Sequence, residues 1–251
     1  MSKRLSNITN LQVMGLLTML AILGLLGSGY SHIQANDVNW WQWADGALQN
    51  FSTEIIGAIL TFGLIEVLVG ARDKRLAQTE AHEKERQDYF VRIRTALDSD
   101  AANALLNEMR AKGFDLVRAQ LSGANLSGAN LRGLDLMEAD LTGANLTGAT
   151  MIRTNLKNAK LFRANLDMAN LTGANLERAS LRSVTMVKAN LQETRLFRAS
   201  LKEADLTGAN LRNPNMFGVN LTGASLTGAN ITGAIFNAHT LLPDGSQYKY
   251  S

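Results

Sequence analysis

Large apolar residues follow three regimes along this chain. Two unbroken runs come first: Leu11 to Tyr30 carries no charge, and Phe51 to Gly70 carries only Glu54 and Glu66. Each is about 20 residues, the length that crosses roughly 30 Å of hydrocarbon, so residues 11–30 and 51–70 are predicted as two transmembrane helices. The second regime, residues 71–98, is mostly charged and polar, mixes both signs and contains neither Pro nor Gly. It reads as a solvated helical stalk continuing from the second span, and about 25 residues at about 1.5 Å each would reach nearly 40 Å. A coiled coil is disfavoured, because the stretch lacks apolar residues at heptad spacing. Residues 99–113 form a separate short helix, with Ser99 or Asp100 as its cap and Gly113 as its end. Its apolar face is Leu105, Leu106 and Met109, and its place directly before the third regime predicts that it covers an open end there.

The third regime has a period of five. From Phe114 to Ala238 the chain divides into 25 pentads without insertion or deletion, each centred on a large apolar residue. Twenty centres are Leu, and the others are Met151, Met186, Met216, Ile231 and Phe236. Two residues before the centre stands Ala in 18 pentads. Steps of five would carry the Leu residues around a helix, and would alternate them between the faces of a strand. They all point inward only if the chain bends once per pentad. With bends near 90°, four pentads close a square coil of about 20 residues, and coils stacked at about 4.8 Å place Leu on Leu and Ala on Ala. The pattern therefore predicts a square solenoid of about six coils over residues 114–238, and an α plus β-solenoid fold class.

"ANLSG", "ADLTG" and "ANLTG" in this stretch resemble the pentapeptide-repeat family, whose pattern is Ala-(Asp/Asn)-Leu-x-x. The resemblance implies a right-handed quadrilateral β-helix. "LLPDGSQY", within residues 239–251, resembles the turn that follows the last coil in such proteins. Pro214, which removes a backbone donor, and the large Leu134, Thr154, Val184, Thr194 and Val219 take positions usually held by Ala, so local bulging is expected there.

Charge adds orientation. Residues 31–50 contain no Lys or Arg but do contain Trp40, Trp41 and Trp43, while Lys3, Arg4, Arg72, Lys74 and Arg75 lie on the outer flanks of the two runs. The positive-inside rule then places the tail of residues 1–10 and everything beyond residue 70 in the cytoplasm, across a cell (inner) membrane, with residues 31–50 as a short extracytoplasmic loop. A cleaved signal peptide ending at "IQA" is the alternative for the first run, whose apolar core exceeds that of such leaders. Glu66 lies about one turn inside the cytoplasmic end of the second span. It reaches the headgroups or hydrogen-bonds Gln12 of the first span, while an ion or proton pathway is disfavoured because one acid makes no relay.

Chemistry is sparse. With no Cys and three His far apart, no metal site is expected, and no cofactor. No nucleophile pairs with a base, and each "SGAN" or "TGAN" is a repeat corner rather than a phosphate loop, so no catalytic residue is assigned. The resemblance also suggests DNA mimicry against gyrase, which needs an acidic rod. Residues 114–238 instead carry 13 Lys and Arg against 9 Asp and Glu, which disfavours it. Between Met151 and Glu203 the outward positions are loaded with ten cations, four acids and two Phe. Lys157, Lys160, Phe162, Arg163, Arg178, Arg182, Arg195, Phe197, Arg198 and Lys202 form a candidate docking belt with both Phe exposed. Simple solvation of the rod is the competing account. The expected function is a membrane-anchored scaffold that docks an acidic protein. The alternative makes the spans an oligomeric pore or sensor with the rod as gate or receptor. Nucleic acid is disfavoured by the few aromatics, and self-association stays open.

Overall fold

A computed structural model of the chain describes residues 40–249. The first apolar run, Gln12 and the amino-terminal tail lie outside the described residues. The chain divides into two compact units, residues 1–79 and 80–251, and helix α1, Trp40–Arg94, contributes to both.

In the first unit, α1 begins at Trp40, so residues 40–50 are helical rather than loop. Gln42, Ala44, Ala47, Leu48 and Gln49 are good helix formers, and no Pro interrupts them. Farther along, Ile56, Ile59, Leu60, Leu64, Val67 and Leu68 are exposed. By length and composition this is the one helix among the described residues able to cross a membrane; its 18-residue apolar window has a mean hydropathy of 1.9.

The second unit begins in the charged part of α1 and corrects the expectation of a solvated stalk. Tyr89, Phe90 and Ile93 are 2%, 1% and 0% exposed and belong to the core of the solenoid. His82 stacks on Phe114 at 4.5 Å between ring centroids. Helix α2, Ser99–Ala111, buries Ala102, Leu106 and Met109, with Leu105 partly buried. Its N-cap is Asp98, not Ser99 or Asp100, because the Asp98 carboxylate accepts the Ala101 N–H three residues on, at 2.8 Å. Gly113, at φ +76°, ends it, and the Phe114 N–H donates back to the Met109 carbonyl at 3.1 Å. The cap is thus two helices, tied together by Tyr89 Oη donating to Glu108 and by Lys112 Nζ to Glu85 at 2.7 Å.

Residues 114–238 form the square coil. Parallel bridges join residues 20 apart on four sides. Side A runs through Gln120, Asp140, Lys160, Ser180, Ser200 and Asn220, and side B through Asn125, Asn145, Asn165, Thr185, Asp205 and Ser225. Side C runs from Asn130 to Asn230 and side D from Asp135 to Ile235. Each side is a single bridged residue rather than a strand, because turns take up the rest of the pentad. Ala and Leu face inward in stacked columns and are buried almost completely as far as Ala224, whereas Leu226, Ala229 and Ala234 in the last coil are only partly buried.

Every backbone N–H of a typical pentad has an assigned partner. In Ala144 to Gly148, Ala144 closes the preceding turn onto the Leu141 carbonyl at 3.0 Å. Asn145 donates down to Ala124 at 2.9 Å, while Leu146 and Gly148 donate up to Asn165 and Asp167 at 2.7 and 2.8 Å. The Thr147 N–H goes to Oδ1 of Asn145 at 3.2 Å. This last bond is the physical reason for the Asn or Asp that precedes the centre in 16 of the 25 pentads. Positive φ is confined to the second turn residue, as at Gly148 (φ +64°), the arrangement of a type II turn.

The expected bulges do not form. The 20-residue register runs unbroken past Thr154, Val184, Thr194, Pro214 and Val219. Where Ala precedes the centre, the turn-closing bond is 2.8–3.1 Å; at Leu134, Thr154, Val184, Thr194 and Val219 it lengthens to 3.2–3.4 Å. A few tenths of an ångström absorb the larger side chains, and Pro214 simply forgoes its turn bond. Both ends of the ladder are covered in part. Arg86 and Asn103 donate to the Val117 and Ser127 carbonyls on the lower edge. At the other end Leu241 takes the next bridge above Asn220 and pairs antiparallel with Gln247, which protects side A.

Candidate docking surface

The coil register sorts the candidate residues. Lys157, Glu177 and Phe197 stack at the first turn position of the corner between sides D and A, with Arg178 and Arg198 beside them. Lys160 is the outward residue of side A, and Phe162–Arg163, Arg182–Ser183 and Lys202–Glu203 stack at the corner between sides A and B. Side A and its two corners therefore carry seven of these cations against two carboxylates in the middle coils. Arg195 stands apart on side D.

Ion pairing uses some of this charge. Lys157 reaches Glu177 at 3.6 Å, while Arg182 and Lys202 share Glu203 at 3.3 and 3.8 Å. A hydrogen bond from Ser183, and then Arg182, holds the Glu203 carboxyl below its ordinary range. Among the described residues Lys160, Arg163, Arg178, Arg195 and Arg198 make no ion pair, and all five are exposed.

The two Phe are not open anchors. Phe162 and Phe197 are half-buried, and the adjacent arginine lies over each ring, Arg163 at 4.9 Å and Arg198 at 5.1 Å from the centroid. Quadrupole attraction between ring and guanidinium accounts for this. The two residues occupy adjacent turn positions, so one folds across the other.

Sequence reading missed where these cations sit on the backbone. From Arg153 to Glu203 the second turn residue is non-glycine in every pentad but one, and Arg163, Arg178 and Arg198 have φ of 54–56°. A left-handed conformation costs an L-residue about 1–2 kcal/mol, and glycine fills the same position in most flanking coils. The aliphatic stem of Arg198 lies close beneath Gly218, where a Cβ would meet the Arg198 Cγ at 3.3 Å.

Glu66 is an exposed residue of α1 in the first unit; its suggested partner Gln12 lies outside the described residues. No group of three or more His, Asp or Glu able to hold a metal occurs among the described residues.

Comparison with known proteins agrees with this geometry. The profile of Pentapeptide repeats matches in eight copies over residues 104–237, a little over half of the chain. No curated protein matches. Among solved structures, Rfr23 of the cyanobacterium Cyanothece 51142 is 34% identical, with 40% of this chain and 62% of that one covered and a TM-score of 0.33. HetL, involved in heterocyst differentiation regulation in Nostoc sp. strain PCC 7120, is 32% identical over 54% of this chain and 77% of its own, with a TM-score of 0.23. The Nostoc protein alr5209 is 35% identical over 41% and 78%, with a TM-score of 0.35. Eight profile copies on coils whose register repeats every 20 residues leave one assignment: the chain belongs to the pentapeptide-repeat family.

Proposed function

We propose that this protein is a membrane-anchored, non-catalytic β-helical scaffold whose side A, with its two corners, docks a protein of acidic surface. The observation that carries the reading is the stacking of seven cations against two carboxylates on one side of the solenoid. Three of those cations occupy left-handed turn positions where glycine would be more stable. Like charges stacked one coil apart repel, so the arrangement costs the free rod stability that an acidic partner returns. Anchoring rests on the apolar stretch of α1 and on Arg72, Lys74 and Arg75, which directly follow it. The solenoid then lies on the cytoplasmic side of the inner membrane.

The experiment compares gently solubilised membranes holding the native chain with membranes holding Arg163→Glu, Arg178→Glu and Arg198→Glu together. A protein that co-purifies with the native chain, leaves at high salt and is lost by the triple variant supports the reading. Equal recovery with both chains returns the side-A charges to plain solvation. A carboxy-terminal reporter active only in the cytoplasm tests the orientation in the same strains.

A further inference from the structure

Unpaired backbone donors in consecutive coils single out one corner of side A. Below and above the middle coils the usual side-chain acceptor is present: Asp140 Oδ1 accepts the Thr142 N–H at 3.0 Å, and Asn220 Oδ1 the Thr222 N–H at 3.0 Å. Between them the outward residues are Lys160, Ser180 and Ser200, and none of them supplies such an acceptor. The N–H groups of Phe162, Arg182 and Lys202 consequently have no protein acceptor among the described residues. Among the described residues the first-turn N–H groups of Ser122, Ile152, Phe197, Arg212 and Thr227 also lack a protein acceptor, but only at the corner between sides A and B do such donors stack in consecutive coils. Three outward backbone donors thus stack one per coil, among the side chains of Lys160, Arg163, Arg182 and Lys202. Asp140 gives the chemistry within the same column, since a carboxylate oxygen already takes this N–H there. Glu203 is the one acid at this corner, and its oxygens go to Arg182, Ser183 and Lys202 side chains rather than to the backbone donors.

We infer that the corner of Phe162, Arg182 and Lys202 is a carboxylate-binding column whose occupant is an acidic stripe on an α-helix of the partner, laid along the rod. This rests on the docking reading above and names its ligand. Coil spacing selects the helix. Coils repeat at about 4.8 Å, an α-helix presents one face about every 5.4 Å, and an extended strand only about every 6.7 Å. Over three coils the helix drifts from the column by about 1.2 Å, which flexible Lys and Arg side chains absorb. A nucleic-acid strand would use its bases on open aromatic rings, and here arginines cover both Phe.

The test uses the full chain in detergent and a fluorescent Ala-rich helical peptide with Glu alternately three and four residues apart, which keeps them on one face, alongside its Gln counterpart and an oligothymidine. Ser180→Asn with Ser200→Asn is the decisive variant. It restores the repeat's own acceptor to the Arg182 and Lys202 N–H groups without changing charge, and Asn220 shows that side A accommodates Asn. The native chain binds the Glu helix over the Gln helix, and the Asn pair weakens it about tenfold, the loss of roughly one charge-assisted hydrogen bond. A cooperative thermal unfolding curve for the Asn pair, with a midpoint no lower than that of the native chain, excludes misfolding. If the Asn pair binds normally while the Arg→Glu triple variant does not, the backbone column is refuted and docking by side-chain charge stands. If the triple variant also binds normally, both fall. Binding of oligothymidine in preference to the Glu helix, or of neither, refutes the helical occupant.

Discussion

Truncating one core leucine at two heights of the solenoid tests whether stacking, rather than composition, stabilises it. Leu166 is fully buried in a middle coil, whereas Leu226 at the carboxy-terminal end is only partly buried and has no coil bonded above it. Leu→Ala removes about three carbons' worth of transfer free energy, near 2.5 kcal/mol at about 0.8 kcal/mol each. At Leu166 a cavity term adds to this, because the backbone cannot close in. Asn165 is pinned downward at 2.9 Å, and Leu166 and Met168 upward at 2.7 and 2.9 Å. Leu166→Ala should therefore cost about 4 kcal/mol. Leu226→Ala loses only part of the transfer term and opens no enclosed cavity, so about 1–2 kcal/mol is expected. Urea unfolding of the full chain, read coil by coil through hydrogen-exchange mass spectrometry, measures both. A repeat array need not unfold in one step. Leu166→Ala should speed exchange in its own coil and in the coils of Leu146 and Met186, while Leu226→Ala should act only at the end. Equal costs at the two positions would refute the reasoning.

Three other outcomes follow from particular contacts. Gly233→Ala should destabilise only slightly more than Gly228→Ala: both have positive φ, and at 233 the Cβ would fall 2.0 Å from Asn213 Oδ1, the end of a side chain that can swing aside. Urea midpoints of the two variants check this. Asp205 is held below the ordinary carboxylate range by its hydrogen bonds from the Thr207 hydroxyl and then the Thr207 N–H. Its folded-state value being depressed, its contribution is present above about pH 4 and is lost as pH falls through the folded value. Asp205→Asn, which keeps the turn acceptor, should flatten that part of the acid-unfolding profile. Arg86 bonds Glu83, Asp115 and the Val117 carbonyl. Arg86→Ala should cost about 1–2 kcal/mol and raise exchange in residues 115–118 before any other coil; uniform loss along the rod would contradict local edge capping.

The period of five by itself determined the square coil, its 20-residue register and the column in which each outward residue stands. A side-chain position in a stacked solenoid is fixed by counting, because hydrogen bonds of uniform length hold each coil on the next. Lys157, Glu177 and Phe197 could therefore be aligned before any coordinates. Counting could not reach what depends on three-dimensional neighbours. The charged sequence around Tyr89, Phe90 and Ile93 reads as solvated, yet these three residues close the apolar end of the first coil, a surface that exists only once the coil has formed. Arg163 and Arg198 cover the Phe rings because a type II corner puts adjacent residues on one outward edge. The large residues at Ala positions are absorbed by longer turn bonds, and Pro214 by the loss of its own, rather than by bulges, since two neighbouring coils hold every pentad in register. The consecutive free backbone donors of Phe162, Arg182 and Lys202 were hidden for the same reason. Which N–H groups lack a partner is decided only when every other hydrogen bond of the folded chain has been placed.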